Sequence, residues 1–381
     1  MKSFISIFSV ALTMVLSTIG CTEKDETAKY YRKVSIDGKY AIKGENPVPR
    51  KMGQKGESYL FLYNKKGELI KIEHLLAGKE ATESFFGALV AKIEIEHLEV
   101  YEERRYLDIK GTPIADRDGV YFIRLLLDEN KNPVSRSNYG EDGNLIEDNN
   151  GVAEYLWALD DTGRRIKAIF YGRNGKRVTS ENEGFETQFK YDEAGNMIER
   201  SFFDSTGALI EDANGIAILR QKFDEKGNVT EMSYSDSENR LAERGKGVAI
   251  VRQKFDENGN IIEENYFDKY GNINENIMGV AIVRSKFDSY DNVVERRYYD
   301  SDDKLTEGIF YGFAIRQWEY DGYGRMTETR FLDTNENLTN AFNEEAAILR
   351  MKYDKDGKVE QVLYLDKEGK KVVEEDTTSV R

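Results

Sequence analysis

One phrase, spelled three times in succession, constrains this chain more than any other feature. From Gly215 it reads GIAILRQKFDEKGNVTEMSYSDSENRLAERGK, from Gly247 GVAIVRQKFDENGNIIEENYFDKYGNINENIM, and from Gly279 GVAIVRSKFDSYDNVVERRYYDSDDKLTEGIF. Self-similarity at a fixed period means that one supersecondary unit is stacked on copies of itself. A ruler position, the hydrophobic–polar pair closing the first apolar run, recurs at Tyr63, Ile95, Leu127, Leu159, Tyr191, Phe223, Phe255, Phe287, Tyr320 and Tyr353. The first seven intervals are 32 residues and the last two are 33. These ten positions define units one to ten.

Within unit seven, Val248 to Phe255 is rich in β-branched and aromatic residues and stops at Asp256-Glu257-Asn258-Gly259-Asn260. Asp opening and Gly fourth suit a type I turn followed by a left-handed residue, a common hairpin connection. Gly fills that place as Gly67, Gly163, Gly195, Gly227, Gly259, Gly324 and Gly357; Asp291 is tolerable there, Lys131 fits less well and Glu99 least. The second run carries an aromatic eleven residues past the ruler, as Tyr106, Phe170, Phe202, Tyr234, Tyr266, Tyr298, Phe331 and Tyr364. Another Asp turn follows, then a connector. Turn chemistry interrupts every apolar run before a helix could reach about 10–12 residues. The expected fold is therefore all-β: an elongated array of about ten antiparallel β-hairpin repeats over residues 55–373, as a twisted sheet or a solenoid. Arg220 with Glu231, Arg252 with Glu263 and Arg284 with Glu295 are expected to form structural cross-strand pairs within each unit, opposed or diagonal according to register.

The other segments are short. Residues 1–20 combine Lys2 with an apolar stretch from Phe4 to Leu16, and Gly20 precedes Cys21, the only cysteine. This resembles a bacterial lipoprotein signal, with Thr18 where Leu is usual. The resemblance implies lipid attachment at Cys21, a membrane partner through that anchor, and a place in the cell envelope, at the outer membrane or cell surface. Residues 21–54 are expected to act as tether and N-terminal cap, and residues 374–381 as a tail.

The recurring aromatic-Asp-x-x-Gly-Asn of Tyr191–Asn196, Phe223–Asn228 and Phe255–Asn260 resembles the YD-repeat proteins, which include the Rhs shells, and more loosely MORN-type repeats. The family's usual unit is shorter, at about twenty residues. The resemblance implies hairpin architecture and a structural shell or spacer role.

Little in the sequence speaks for chemistry. A net charge of −15 disfavours nucleic acid, which needs clustered Lys and Arg. The only histidines, His74 and His97, have no nucleophile motif nearby, and zinc would need a Cys/His cluster. Segments such as DENGN suggest calcium but lack the spaced ligands and closing Glu of an EF-hand loop. No catalytic residue, cofactor or metal is expected. The favoured reading is a non-catalytic binding or scaffolding surface for a protein; the alternatives are a carbohydrate-binding module using exposed aromatics such as Trp157 and Trp318, and a spacer.

Overall fold

The computed structural model describes residues 27–36, 40–76, 78–80, 90–180, 183–245, 247–341, 346–354 and 359–376. Cys21, the signal-like stretch before it and the turn glycine Gly357 lie outside the described residues.

The chain is all-β, an elongated meander in which successive strands pair antiparallel into one 24-stranded sheet. Unit seven shows how its residues dictate this. Ile250–Phe255 pairs with Ile261–Phe267, so that Val251 faces Tyr266 and Gln253 faces Glu264 on one side, while Lys254 faces Glu263 on the other. A bulge between Lys254 and Phe255 absorbs the odd residue of the loop. Asp256 then closes the turn: its Oδ1 accepts the backbone N–H groups of Asn258 and Asn260, both at 2.9 Å. Gly259 sits at φ 86°, where a side chain would be strained. In unit three Lys131 takes the same left-handed place at φ 64°. Unit two departs: at Glu99 the hairpin tightens, with the Leu98 N–H donating to the Tyr101 carbonyl at 2.8 Å.

The connector, expected from sequence as a plain link, holds a third turn. After the Asp268 turn, Phe267 bridges Ile273, and Asn276 opens another turn in which the Gly279 N–H donates to the Asn276 carbonyl at 2.9 Å. The next two residues are wholly enclosed, Val280 at 1% and Ala281 at 0% exposure. Ala281 stitches units together, donating to the Tyr299 carbonyl at 2.8 Å and accepting from the Tyr266 N–H at 2.9 Å. The signal was in the sequence, as Asp116-x-x-Gly119, Asp148-x-x-Gly151, Asp212-x-x-Gly215 and Asn276-x-x-Gly279.

The stretch read as tether and cap contributes two strands, β1 (Thr27–Ile36) and β2 (Ile42–Val48). β1 pairs with β2 and with Glu57–Tyr63, the first strand of unit one. A single helical turn, α1 (Arg50–Gly53), leads into that unit. At the far end the last strand, Lys371–Asp376, runs past the boundary drawn at 373. The sheet curls back on itself. Arg32 of β1 reaches the Tyr323 carbonyl in the first turn of unit nine, 291 positions away, at 3.4 Å. A side chain at Gly56 would stand 2.6 Å from the same oxygen, so the start of unit one meets unit nine backbone to backbone.

The two faces of the sheet as candidate functional surfaces

Strand alternation gives each unit an inner and an outer face. The outer face carries the charge. Glu231 is held by Lys222 of its own hairpin at 2.7 Å and by Arg252 of the following unit at 2.8 Å. Glu263 repeats this with Lys254 and Arg284, at 2.7 and 2.9 Å, and Glu199 with Lys190 and Arg220, at 2.7 and 2.8 Å. Of the two registers expected from sequence each hairpin takes the diagonal one, and the arginines form their ion pairs with the preceding unit instead. Arg220 faces Ser233 in its own hairpin and Glu199 in the preceding unit, because the bulge puts the lysine opposite the glutamate. Arg252 likewise pairs with Glu231 instead of Glu263. Arg284 takes Glu263 in place of Glu295, which pairs with Lys286 and Arg297. The ladder therefore joins neighbouring units. Burial pushes the Glu263 carboxyl up, but hydrogen bonds from Lys254, Arg284 and Asn265 outweigh it and bring it down to about 2. The arginines also lie over aromatic rings, Arg252 at 4.4 Å from Phe267 and Arg284 at 4.5 Å from Tyr299.

The inner face changes character along the array. In units one to four it is apolar: Phe61, Ile93, Leu125 and Trp157 are buried there with Phe170. Tyr31, Val34 and Ile42 of the N-terminal hairpin pack on this cluster, and the Tyr40 ring lies tilted against Trp157 with centroids 5.1 Å apart. Arg136 clamps the hairpin by donating to the Tyr40 hydroxyl at 2.8 Å, and Arg104 by donating to its carbonyl at 2.9 Å. Trp157, offered by the sequence as a sugar-stacking residue, is thus a core residue at 6% exposure. Trp318 is half-buried, with the Arg316 guanidinium 4.8 Å from its ring.

In units six to eight the places that held Leu125 and Trp157 hold Gln221, Gln253 and Ser285, and in units nine and ten they are apolar again, as Trp318 and Met351. Facing Gln221, Gln253 and Ser285 are Met232, Glu264 and Arg296. A cavity of about 420 Å³ opens over units seven and eight, bordered by Lys33 of β1, Glu264, Ser285, Arg296 and the rings of Tyr266 and Tyr298. Glu264 accepts from Gln253 Nε2 at 2.6 Å and from the Tyr266 hydroxyl.

Both histidines lie in early units. His74 takes the place of the buried aromatic, stacked on Tyr59 at 4.9 Å with Nε2 3.1 Å from Glu57. His97 sits between the Leu69 carbonyl at 2.8 Å and Glu102 at 3.2 Å. The hydrogen bond to Glu102 raises its pKa; burial opposes this, and the bond to Leu69 adds to the rise. Among the described residues no group of three or more His, Cys, Asp and Glu is placed to hold a metal, and no helix is long and apolar enough to cross a membrane.

No family model matches the sequence, and no curated protein matches it. Among solved structures, the Photorhabdus luminescens Tc holotoxin pore aligns with 83% of this chain at 12% identity and TM-score 0.27. The TcdB2–TccC3 complex without its hypervariable C-terminal region aligns with 89% at 13% identity and TM-score 0.20. A porin-like protein of Bacteroides uniformis aligns with 63% of this chain and 88% of its own, at 8% identity and TM-score 0.26. The chain spans about a fifth of the length of the toxin chains it matches, 18% and 21%.

Proposed function

We propose that the protein is a non-catalytic binding scaffold of the bacterial cell envelope, anchored by lipid at Cys21, whose open inner face over units six to eight holds its partner. One observation carries this reading. The same column that is packed with Phe61, Leu125 and Trp157 under the N-terminal hairpin becomes Gln221, Gln253 and Ser285 beyond it. Packing does not require polar side chains at those places, whereas recognition does. The outer face favours a structural role instead, since its charges are spent on one another between units. The anchor rests on the signal-like sequence before Cys21.

A photo-crosslinking amino acid at Gln253 or Ser285, compared with one at Lys254 on the outer face, tests the assignment in intact cells. Discrete adducts from the two inner positions alone are expected; equal adducts from Lys254, or none from Gln253 and Ser285, overturn it. Labelling with a radioactive fatty acid tests the anchor separately, with Cys21→Ala as the unlabelled control.

A further inference from the structure

The inner cavity over units seven and eight contains a charge arrangement that the fold itself does not need. Arg296 and Arg316 are direct cross-strand partners on the inner face, and like charges so placed repel. The outer face shows how this array ordinarily resolves such a conflict. Arg284 and Arg297 are also cross-strand partners, and each is neutralised twice: Arg284 by Glu263 and Asp303, Arg297 by Glu295 and Glu336, all between 2.7 and 2.9 Å. Arg296 has no such relief. Among the described residues it forms no salt bridge, and its Nε is enclosed without a hydrogen-bond partner. Lys33 of β1 adds a second cation at the rim of the same cavity.

The cavity also limits what the missing anion can be. Glu264 stands within it, fixed by Gln253 and Tyr266, and would repel a second negative group. The occupant therefore carries one charge at the arginine end and neutral polar groups at the glutamate end, which disfavours phosphates and runs of acidic residues. Ser285 offers a further hydrogen-bonding group, and the rings of Tyr266, Tyr298 and Tyr311 offer flat apolar faces. A volume of about 420 Å³ suits a small ring compound.

We propose that this cavity binds a sugar acid, its single carboxylate on Arg296 and Lys33 and its hydroxyls on Glu264 and Ser285. The proposal rests on the inner face being the binding face and names the chemistry that face selects. Titration of the full chain with D-glucuronate, read by calorimetry, tests it. Saturable binding is expected, weakened at least about tenfold by Arg296→Gln and by Lys33→Gln, and unaffected by the outer-face Lys254→Gln. D-glucose, lacking the carboxylate, is expected to bind at least about tenfold more weakly. Arg296→Gln removes a like-charge contact, so an unchanged or raised thermal midpoint shows that the variant is folded. No saturable glucuronate binding, binding indifferent to Arg296→Gln, or acetate or an oligoglutamate peptide binding as tightly as glucuronate overturns the proposal. Those results leave crosslinking from Gln253 and Ser285 untouched, so failure here is distinct from failure of the inner-face assignment.

Discussion

Single residues decide where this repeat obeys its own rule and where it departs. The aromatic column was legible because burial of one ring per unit is what a thin hairpin needs, and Phe170, Phe202, Tyr234 and Tyr298 are all buried, with Tyr266 half-buried among them. Its two exceptions, His74 and Asn138, were not legible, because their justification lies in distant partners. Asn138 is fully enclosed and donates to the Val152 carbonyl at 2.9 Å and to Asp148 at 3.2 Å, a network that no local spacing announces. The turn glycines were legible for the opposite reason, since the left-handed backbone is a local demand. Lys131→Gly, relieving that strain at φ 64°, is expected to raise stability by up to about 1 kcal/mol by urea denaturation. His97 sets a pH dependence. Its folded pKa lies above the ordinary 6.5, so its contribution is complete below that value and is lost as pH rises through the raised one. Thermal midpoints measured across that interval should fall for the native chain, and the His97-dependent part should vanish in His97→Gln.

Strands and hairpins were placed well by period and turn chemistry, but their partnership was not. The bulge after each first strand moves the arginine out of register with its own glutamate, and the choice between loop lengths that sets this is invisible in the residues themselves. Double-mutant cycles separate the two pairings: Glu231 with Arg252 is expected to couple by about 0.5 kcal/mol, and Glu231 with Arg220 by close to zero. The depressed carboxyls give this ladder an acid limit. Glu263 and Glu295, both brought down to about 2, contribute fully above the ordinary 4.5 and lose that contribution as pH falls through about 2. Circular dichroism followed from pH 5 to pH 2 should show a shallower loss in Glu263→Gln. The ladder also has a gap. Leu126, Ser135 and Leu156 occupy the lysine, glutamate and arginine places between units three and four, leaving the two leucines 46% and 42% exposed. Leu126→Lys, Ser135→Glu and Leu156→Arg together are expected to restore the ladder there and raise the thermal midpoint, with a gain below about 1 kcal/mol.

Across the whole molecule, an array was foreseeable and its closure was not. Nothing in a unit says how many copies complete a turn; that follows from the small rotation between neighbours, accumulated over the sheet. Nor does the repeat reveal that β1 and β2 fold over the inner face, where Tyr40 meets Trp157. Tyr40→Ala is expected to cost about 2–4 kcal/mol, and limited proteolysis should then cut the hairpin while the later units stay resistant. The meeting of Arg32 with Tyr323 has a kinetic meaning as well. Every hairpin, and every contact between neighbouring units, joins residues close in sequence and can form quickly from any starting point. This seam joins residues 291 positions apart and can form only after the intervening units have stacked. It should therefore be the last event in folding and the first lost on unfolding, a latch that converts a row of independent hairpins into one cooperative body.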